Sequence, residues 1–161
     1  MAYISLGSNL GDSVNLLNVA IEKINERIGL VIKKSSFYET EPWGFKADQN
    51  FINAMVAVDS DLHPEEILRE LLAIEKDLGR VRNSSKTYTS RLIDLDIIAI
   101  DDLILKTKEL VIPHPKMHER SFVLIPFHEI AHDWRNPLLD KGLEELIALV
   151  NDVDKVKRLK V

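Results

Sequence analysis

The chain has 161 residues, 45% of them hydrophobic, which is enough for one well-covered core and short for two, so we predict a single domain over residues 1–161. It lacks cysteine, which excludes a disulfide framework and a thiolate zinc site. A formal net charge of −5 argues against a nucleic-acid surface, and no apolar run approaches the roughly 20 residues of a membrane span, so we expect a cytoplasmic protein without nucleic-acid or membrane partners.

The first third of the chain predicts strands on either side of a helix. Residues 3–6 form a short apolar strand, and Asp12 or Ser13 then caps a helix that ends at Gly29. The glycine-rich segment 7–12 lacks the Gly-Lys-Ser/Thr ending of a nucleotide-binding loop, so we assign it no phosphate; its small residues equally suit close backbone packing. Two further strands are predicted at residues 30–38 and 51–58.

A second helix is predicted from Pro64 to Leu78, because proline suits the first helical position and Gly79 ends the pattern. Glu75 lies one residue off the buried stripe of this helix, near its carboxyl end. The remaining predicted elements are a strand around Asp94 and Asp96, a turn at Asp101 and Asp102, a small hairpin or sheet edge of residues 103–105 and 110–112, a helix over 117–127 broken by Pro126, and a helix over 143–150. The order β-α-β-β-α-β predicts an α+β fold, a ferredoxin-like antiparallel sheet with flanking helices.

Two aspartates alternate with apolar residues in the run 91–98, Arg-Leu-Ile-Asp-Leu-Asp-Ile-Ile. Because successive side chains of a strand point to opposite faces, Asp94 and Asp96 share one face. Like charges this close oppose each other's ionisation unless a cation neutralises them. Ile98 and Ile100 are expected on the same face, which disfavours the alternative of a merely solvated face. Without cysteine or clustered histidine, the pair suits magnesium, which keeps several waters and takes further ligands from phosphates.

A cationic segment, residues 80–93, precedes the aspartates. It contains four basic residues and no acidic residue. The basic residues are Arg80, Arg82, Lys86 and Arg91. The segment is a candidate anion pocket, and an exposed basic loop is the alternative. A hard cation beside arginines is what phosphoryl-type transfer requires, since charge develops on phosphate oxygens. In a continued strand Arg91 would lie on the face opposite Asp94, so it must belong to the loop to reach the same site.

His114 lies between Pro113 and Pro115, which restrict its backbone, and Arg120 follows six residues later. It is a candidate phosphate ligand, and a structural histidine is the alternative.

Three aromatic residues, Trp43, Phe51 and Phe122, lie in or beside irregular segments. A flat heterocycle could stack between two such rings, with Asn53 supplying both a donor and an acceptor to a ring edge. Ordinary core packing of the rings is the alternative.

These motifs, in this order, make the chain similar to the 6-hydroxymethyl-7,8-dihydropterin pyrophosphokinases of folate biosynthesis over nearly its whole length. The matching pieces are residues 3–10, 36–40 and 51–54, Glu75 with residues 79–82, Arg91 with residues 93–96, and residues 111–114 with Arg120 and Phe122.

The resemblance implies that ATP gives its β,γ-pyrophosphoryl group to the hydroxymethyl oxygen of the dihydropterin and releases AMP. It implies these two small-molecule substrates and two magnesium ions on Asp94 and Asp96. We expect a monomer. The resemblance also implies individual roles: catalysis by Arg80, Arg91, Asp94 and Asp96; nucleotide binding by Glu75, Arg82, Tyr88, Arg91, Ile97, His114 and Arg120; pterin binding by Thr40, Pro42, Trp43, Gly44, Phe51, Asn53 and Phe122.

Two other classes of protein are alternatives. A ferredoxin-like binding or regulatory module, including an RNA-recognition domain, is disfavoured by the acidic charge and by the lack of an aromatic RNA-binding signature. Another magnesium-dependent nucleotidyl or phosphoryl transferase would be distinguished by whether AMP, ADP or pyrophosphate is its product.

Overall fold

The computed structural model of the protein describes residues 1–9, 11–41, 50–79 and 93–160. Its regular elements are β1 (Ala2–Ser8), α1 (Ser13–Arg27), β2 (Leu30–Lys34), β3 (Tyr38–Thr40), β4 (Phe51–Asp59), α2 (Pro64–Asp77), β5 (Asp94–Ile100), β6 (Leu105–Lys106), β7 (Val111–Ile112), α3 (Ser121–Ile130), β8 (Arg135–Asn136), β9 (Lys141–Gly142), α4 (Leu143–Leu149) and β10 (Lys157–Arg158).

The main sheet is antiparallel and has β1 near its centre. The strand order is β10-β3-β4-β1-β5, and β2 pairs with β4 on the same side as β3. This pairing, with α1 and α2 as the two crossovers, confirms the predicted α+β, ferredoxin-like arrangement. The small hairpin predicted after the turn at Asp101 is also present, as β6 paired with β7.

Helices lie on both faces of the sheet. On one face, α1 and α2 pack Leu17, Ile24 and Leu71 against Ile4 and Leu6 of β1. Each such fully buried aliphatic side chain contributes roughly 1.5–3 kcal/mol. On the other face, α3 and α4 form a second core over only part of the sheet. The carboxyl end of β1 and the amino ends of β4 and β5 extend beyond that core, and several of the predicted site residues lie there.

The predicted strand 30–38 is two strands, because Ser35 interrupts the pairing with β4. The Ser35 backbone N–H donates to the Met55 carbonyl at 2.8 Å, whereas the Met55 N–H donates to the Ser35 hydroxyl at 2.9 Å. A side-chain oxygen thus replaces a backbone carbonyl in the ladder, and β3 begins afresh at Tyr38.

The prediction that Pro126 breaks the helix over 117–127 is wrong. The break is at Arg120, whose extended backbone separates a short 3-10 turn, Met117–Glu119, from α3. The Arg120 carbonyl accepts the N–H groups of Val123 and Leu124, both at 3.0 Å, so it opens α3. Pro126 removes only one backbone donor within the helix and is accommodated. Arg120 and Phe122 consequently lie at the amino end of α3.

A β-bulge in β5 corrects one further expectation. The pairing with β1 shifts so that Tyr3 opposes Ala99 while Ile4 opposes Ile97, which leaves Ile98 as the extra residue. Ile98 packs in the core with α3 and thus lies on the face of the aspartates, as predicted for that face. Ile100, expected on the same face, packs instead on the α1 and α2 side because the bulge reverses the alternation.

None of the helices in the described part of the chain has the length and hydropathy that a membrane crossing requires.

Candidate active site

A cavity of about 390 Å³ opens on the sheet face that α3 only partly covers. The described residues that line it are Ser5, Gly7, Thr40, Glu41, Phe51, Asn53, Asp94, Asp96, Glu119, Arg120, Phe122 and Val123. The cavity therefore brings together residues from three adjacent strands of the sheet, from β3 and its end, and from the amino end of α3.

Asp94 and Asp96 both line the cavity and are half-buried, as the alternation in β5 predicts. Across the sheet, Asp94 pairs with Gly7 of β1 and Asp96 pairs with Ser5. Side chains this close on one face form a single anionic wall of the cavity.

Glu75 supports that wall from behind without lining the cavity. Its side chain is 2% exposed, and one carboxylate oxygen accepts the backbone N–H of Leu95 at 2.8 Å. Leu95 lies between the two aspartates in the sequence. This charge-assisted hydrogen bond therefore holds the segment of β5 that carries both aspartates.

His114 is attached to the same strand. Its backbone N–H donates to the Ile98 carbonyl at 2.8 Å, and its Nδ1 accepts the Lys116 N–H at 3.2 Å. Burial, together with the charge of Arg120, lowers the pKa of His114 to about 4, although Asp94 acts in the opposite direction. At neutral pH the imidazole is therefore uncharged, and because Nδ1 is an acceptor its proton is on Nε2.

The opposite wall of the cavity carries an amide and two aromatic rings. Asn53 and Thr40 are 4% and 6% exposed, and the Asn53 Nδ2 donates to the Thr40 hydroxyl at 3.1 Å. Phe51 and Phe122 also line the cavity, and the Arg120 guanidinium carbon lies 5.8 Å from the centre of the Phe122 ring. A flat ring entering here would meet an amide edge and aromatic surfaces.

Several residues implied in binding are not brought to the cavity or are not described. The Ile97 side chain is buried in the core with α1 and α2, on the face away from the cavity. Pro42, Trp43, Gly44, Arg80, Arg82, Tyr88 and Arg91 lie outside the described residues.

Sequence reasoning did not assign five of the lining residues to the site, namely Ser5, Gly7, Glu41, Glu119 and Val123. Ser5 and Gly7 alternate in β1 as Asp94 and Asp96 alternate in β5, so the period-two pattern could have identified them once the two strands were known to pair. Glu119 and Val123 carry no comparable signal, because the turn at Arg120 decides their direction.

The donor set fits magnesium. No group of three or more His, Cys, Asp and Glu side chains within the described ranges could hold a metal ion. Two carboxylates on one wall do not form a complete protein cage, which calcium or structural zinc would need. Magnesium, by contrast, is commonly bound by one or two carboxylates with waters and substrate phosphates.

The fold and the cavity are those expected of a transferase that moves a phosphoryl-type group to a small, flat acceptor, since a carboxylate wall adjoins a wall with an amide, two aromatic rings and an arginine. A family model described as 7,8-dihydro-6-hydroxymethylpterin-pyrophosphokinase (HPPK) matches residues 3–132. The chain therefore belongs to this family.

Curated relatives agree with the family match. A 2-amino-4-hydroxy-6-hydroxymethyldihydropteridine pyrophosphokinase of Porphyromonas gingivalis is 44% identical over 140 residues, covering 85% of this chain and 94% of that protein. The protein of the same name from Bacillus subtilis is 39% identical over 132 residues, covering 81% and 78%. The folic acid synthesis protein fol1 of Pneumocystis carinii is 42% identical over 94% of this chain, which spans 20% of that longer protein.

Solved structures share the fold. An HPPK-DHPS in complex with substrates superposes with a TM-score of 0.77 at 14% identity, over 99% of this chain and 46% of that one. The wild-type HPPK-DHPS of Plasmodium falciparum with SDX-DHP gives a TM-score of 0.74 at 16% identity, over 99% and 47%. This chain thus spans about half the length of those solved chains.

Proposed function

We propose that the cavity is where this chain carries out the reaction of its family, the transfer of pyrophosphate from ATP to 6-hydroxymethyl-7,8-dihydropterin. The reaction gives AMP and the pterin diphosphate and belongs to folate biosynthesis. The observation that carries the proposal is a row of three paired residues, Asn53 of β4, Gly7 of β1 and Asp94 of β5, which joins the amide wall to the carboxylate wall.

The amide wall would bind the pterin. The Asn53 amide is fixed by Thr40 and offers its remaining donor and acceptor capacity to the ring edge. Phe51 and Phe122 supply apolar surfaces for the two ring faces, and stacking contacts of this kind are worth about 0.5–1.5 kcal/mol beyond burial. The hydroxymethyl oxygen would then point along the sheet toward Asp94.

The carboxylate wall would bind the phosphates of ATP. Asp94 and Asp96 would hold magnesium, which when bound neutralises charge on phosphate oxygens. His114 would donate its Nε2–H to a phosphate oxygen as a neutral group, and Arg120 would add a permanent positive charge. Catalysis would come from alignment of the acceptor oxygen with the phosphate chain, since the wall supplies no covalent nucleophile. The roles of Arg80, Arg82, Tyr88 and Arg91 remain predictions of the family resemblance.

The direct test is incubation with ATP, magnesium and the hydroxymethyl dihydropterin while AMP release is followed. We expect AMP formation that depends on the pterin and stops with a chelator. Asp96→Asn keeps the shape of the side chain but removes its charge, and should lower the rate at least about 100-fold. Asp102→Asn, at an exposed aspartate on the turn after β5, is the matched control. ADP or pyrophosphate as the product would reject the proposal.

The monomeric state, the single-domain organisation and the cytoplasmic location are also proposals. Light scattering on the purified chain tests the first of them, and we expect a mass near 18.4 kDa.

A further inference from the structure

Gly7 is placed where a strand ordinarily carries a side chain. It lies in the central strand β1, between Asn53 and Asp94, and lines the cavity. Glycine in a strand interior weakens the strand and often marks the close approach of a ligand or another backbone. The backbone itself does not demand glycine here, because the left-handed φ angles of the described glycines occur at Gly11 and Gly79. The reason for glycine at this position is therefore space.

The space that Gly7 leaves open adjoins the acceptor atom of the amide wall. A Cβ atom built on residue 7 would lie 3.1 Å from the Asn53 Oδ1 and 3.9 Å from the Ile52 carbonyl oxygen. The first distance is tighter than an ordinary van der Waals contact. Asn53 cannot easily yield, since it is 4% exposed and its Nδ2 is bonded to Thr40. A methyl group at residue 7 would thus occupy the approach to Oδ1.

We propose that Gly7 is a specificity-determining residue: its missing side chain opens the approach to Asn53 Oδ1, and the flat acceptor occupies that approach with a ring N–H donor. This inference rests on the proposed function of the cavity. An N–H donor must come within about 3 Å of the oxygen that accepts it, which is the distance at which the Cβ would lie. The substituent to be phosphorylated then extends over the Gly7 Cα toward Asp94. A side chain at residue 7 would separate the two walls of the cavity.

Gly7→Ala tests the inference because it should weaken the binding of the dihydropterin but not the binding of the nucleotide. We expect the dissociation constant of the hydroxymethyl dihydropterin to rise about 10-fold or more, because one added methyl group in a tight pocket has effects of this size. The dissociation constant of a non-hydrolysable ATP analogue should change less than about 2-fold. Thermal unfolding should show a folded variant whose melting temperature reflects two opposed effects, since alanine suits a strand better than glycine whereas its Cβ crowds the Asn53 Oδ1. Titration calorimetry and thermal unfolding measure all three.

Gly142→Ala is the matched control. A Cβ at Gly142 would lie 3.5 Å from the Arg135 Nη1 and 3.7 Å from the Glu145 Oε1, which are ordinary contacts away from the cavity. We expect both ligands to bind this variant as they bind the unchanged chain.

A double-mutant cycle with Asn53→Ala separates the approach to Oδ1 from other effects of the methyl group. If Gly7 acts by exposing Oδ1, Gly7→Ala should have much less effect on pterin binding once Asn53 is alanine. Unchanged pterin binding by Gly7→Ala, equal losses for both ligands, or independent effects in the cycle would each overturn the inference.

A measurement on the unchanged chain decides the question if Gly7→Ala does not fold. Addition of the dihydropterin should shift the Gly7 Hα resonances through the ring current, while the Gly142 resonances stay in place. An unchanged chemical shift of the Gly7 Hα at saturating dihydropterin would refute the inference. Pterin-dependent AMP formation by the same sample would still support the proposed function, so the two failures are distinguishable.

Discussion

The surroundings of His114 determine both the charge and the tautomer of its imidazole. Burial and the nearby Arg120 hold its pKa at about 4, and the Lys116 N–H occupies Nδ1. A protonated imidazole would add charge, but a neutral one with a fixed Nε2–H aims a single hydrogen bond. Asn53 is oriented in a similar way by Thr40. Both polar groups are thus prepared before a ligand arrives, which reduces the ordering that binding requires.

The depressed pKa of His114 predicts how stability depends on pH. The unfolded chain takes up this proton near pH 6.5 and the folded chain only near pH 4. Between these values the unfolded state binds more protons, so the free energy of unfolding should fall as the pH falls from about 6.5 to about 4. His114→Gln should remove this part of the slope in urea unfolding. His132→Gln, at a side chain 72% exposed, is the control and should leave the slope in place.

At the scale of elements, two contacts from outside the main sheet hold β5. Glu75 of α2 bonds to the Leu95 N–H from the core side, and the His114 N–H bonds to the Ile98 carbonyl at the bulge. A buried carboxylate in a helix facing a strand is unusual for stability alone. Its bond to the residue between the two aspartates indicates that it holds the strand segment that carries them.

Removal of the Glu75 acceptor should affect both stability and activity. Glu75→Ala leaves the buried Leu95 N–H without this acceptor, which costs about 1–3 kcal/mol in urea unfolding. Glu75→Gln retains an acceptor and should lose less. The rate of AMP formation should also fall in both variants, and it should fall further in Glu75→Ala than in Glu75→Gln. Glu65→Ala on the exposed side of α2 is the control, and a stability loss as large as that of Glu75→Ala would contradict the assigned contact.

The short strand β3, which carries Thr40, is fastened to α3 by Glu129. The Glu129 carboxylate accepts the Tyr38 hydroxyl at 2.6 Å and the Ser36 N–H and hydroxyl. Burial raises the pKa of Tyr38 to about 12, and the bond to Glu129 adds to the effect. A three-residue strand has little pairing of its own, so this contact aligns it with the helix that carries Phe122.

Alkaline unfolding tests the Tyr38 contact. The unfolded tyrosine ionises near pH 10 and the folded one near pH 12, so the free energy of unfolding should decline as the pH rises between these values. Tyr38→Phe should show a smaller decline. At neutral pH it should be less stable by about 1 kcal/mol, the usual net value of one hydrogen bond. Identical alkaline slopes for the two proteins would show that the contact is not formed in solution.

At the scale of the molecule, the two faces of the sheet differ in what they pack against. The face packed by α1 and α2 is a continuous apolar core. The other face is divided between the apolar core of α3 and α4 and the polar cavity. The bulge in β5 lies at the boundary, since Asp96 lines the cavity while Ile98 is already core.

Because the cavity is part of the sheet itself, ligand binding should stabilise the whole fold. A non-hydrolysable ATP analogue with magnesium at about 100 times its dissociation constant adds about 2.7 kcal/mol to the free energy of unfolding. For a chain of this size the melting temperature should rise by about 5–10 °C. A chelator, or the Asp96→Asn exchange, should abolish the rise. An equal rise without magnesium would argue against the carboxylate wall as the metal site.

The sequence by itself determined the features that depend on local periodicity. The shared face of Asp94 and Asp96, the start of α2 at Pro64 and its end just before Gly79, and the order of strands and helices follow from side-chain alternation and capping, which act within a few residues. The family motifs could also be recognised from the sequence, since each of them consists of residues close together along the chain.

Tertiary structure alone decided what depends on partners distant in sequence. The placement of Gly7 between Asn53 and Asp94, the contact of Glu75 with Leu95 and the division of strand 30–38 at Ser35 all arise from register between strands or packing between elements. The bulge that turns Ile100 away from the aspartates has the same origin. Strand alternation says which side chains share a face, but only the pairing of strands says what lies beside them, because hydrogen bonds across a sheet join residues with no local relation in sequence.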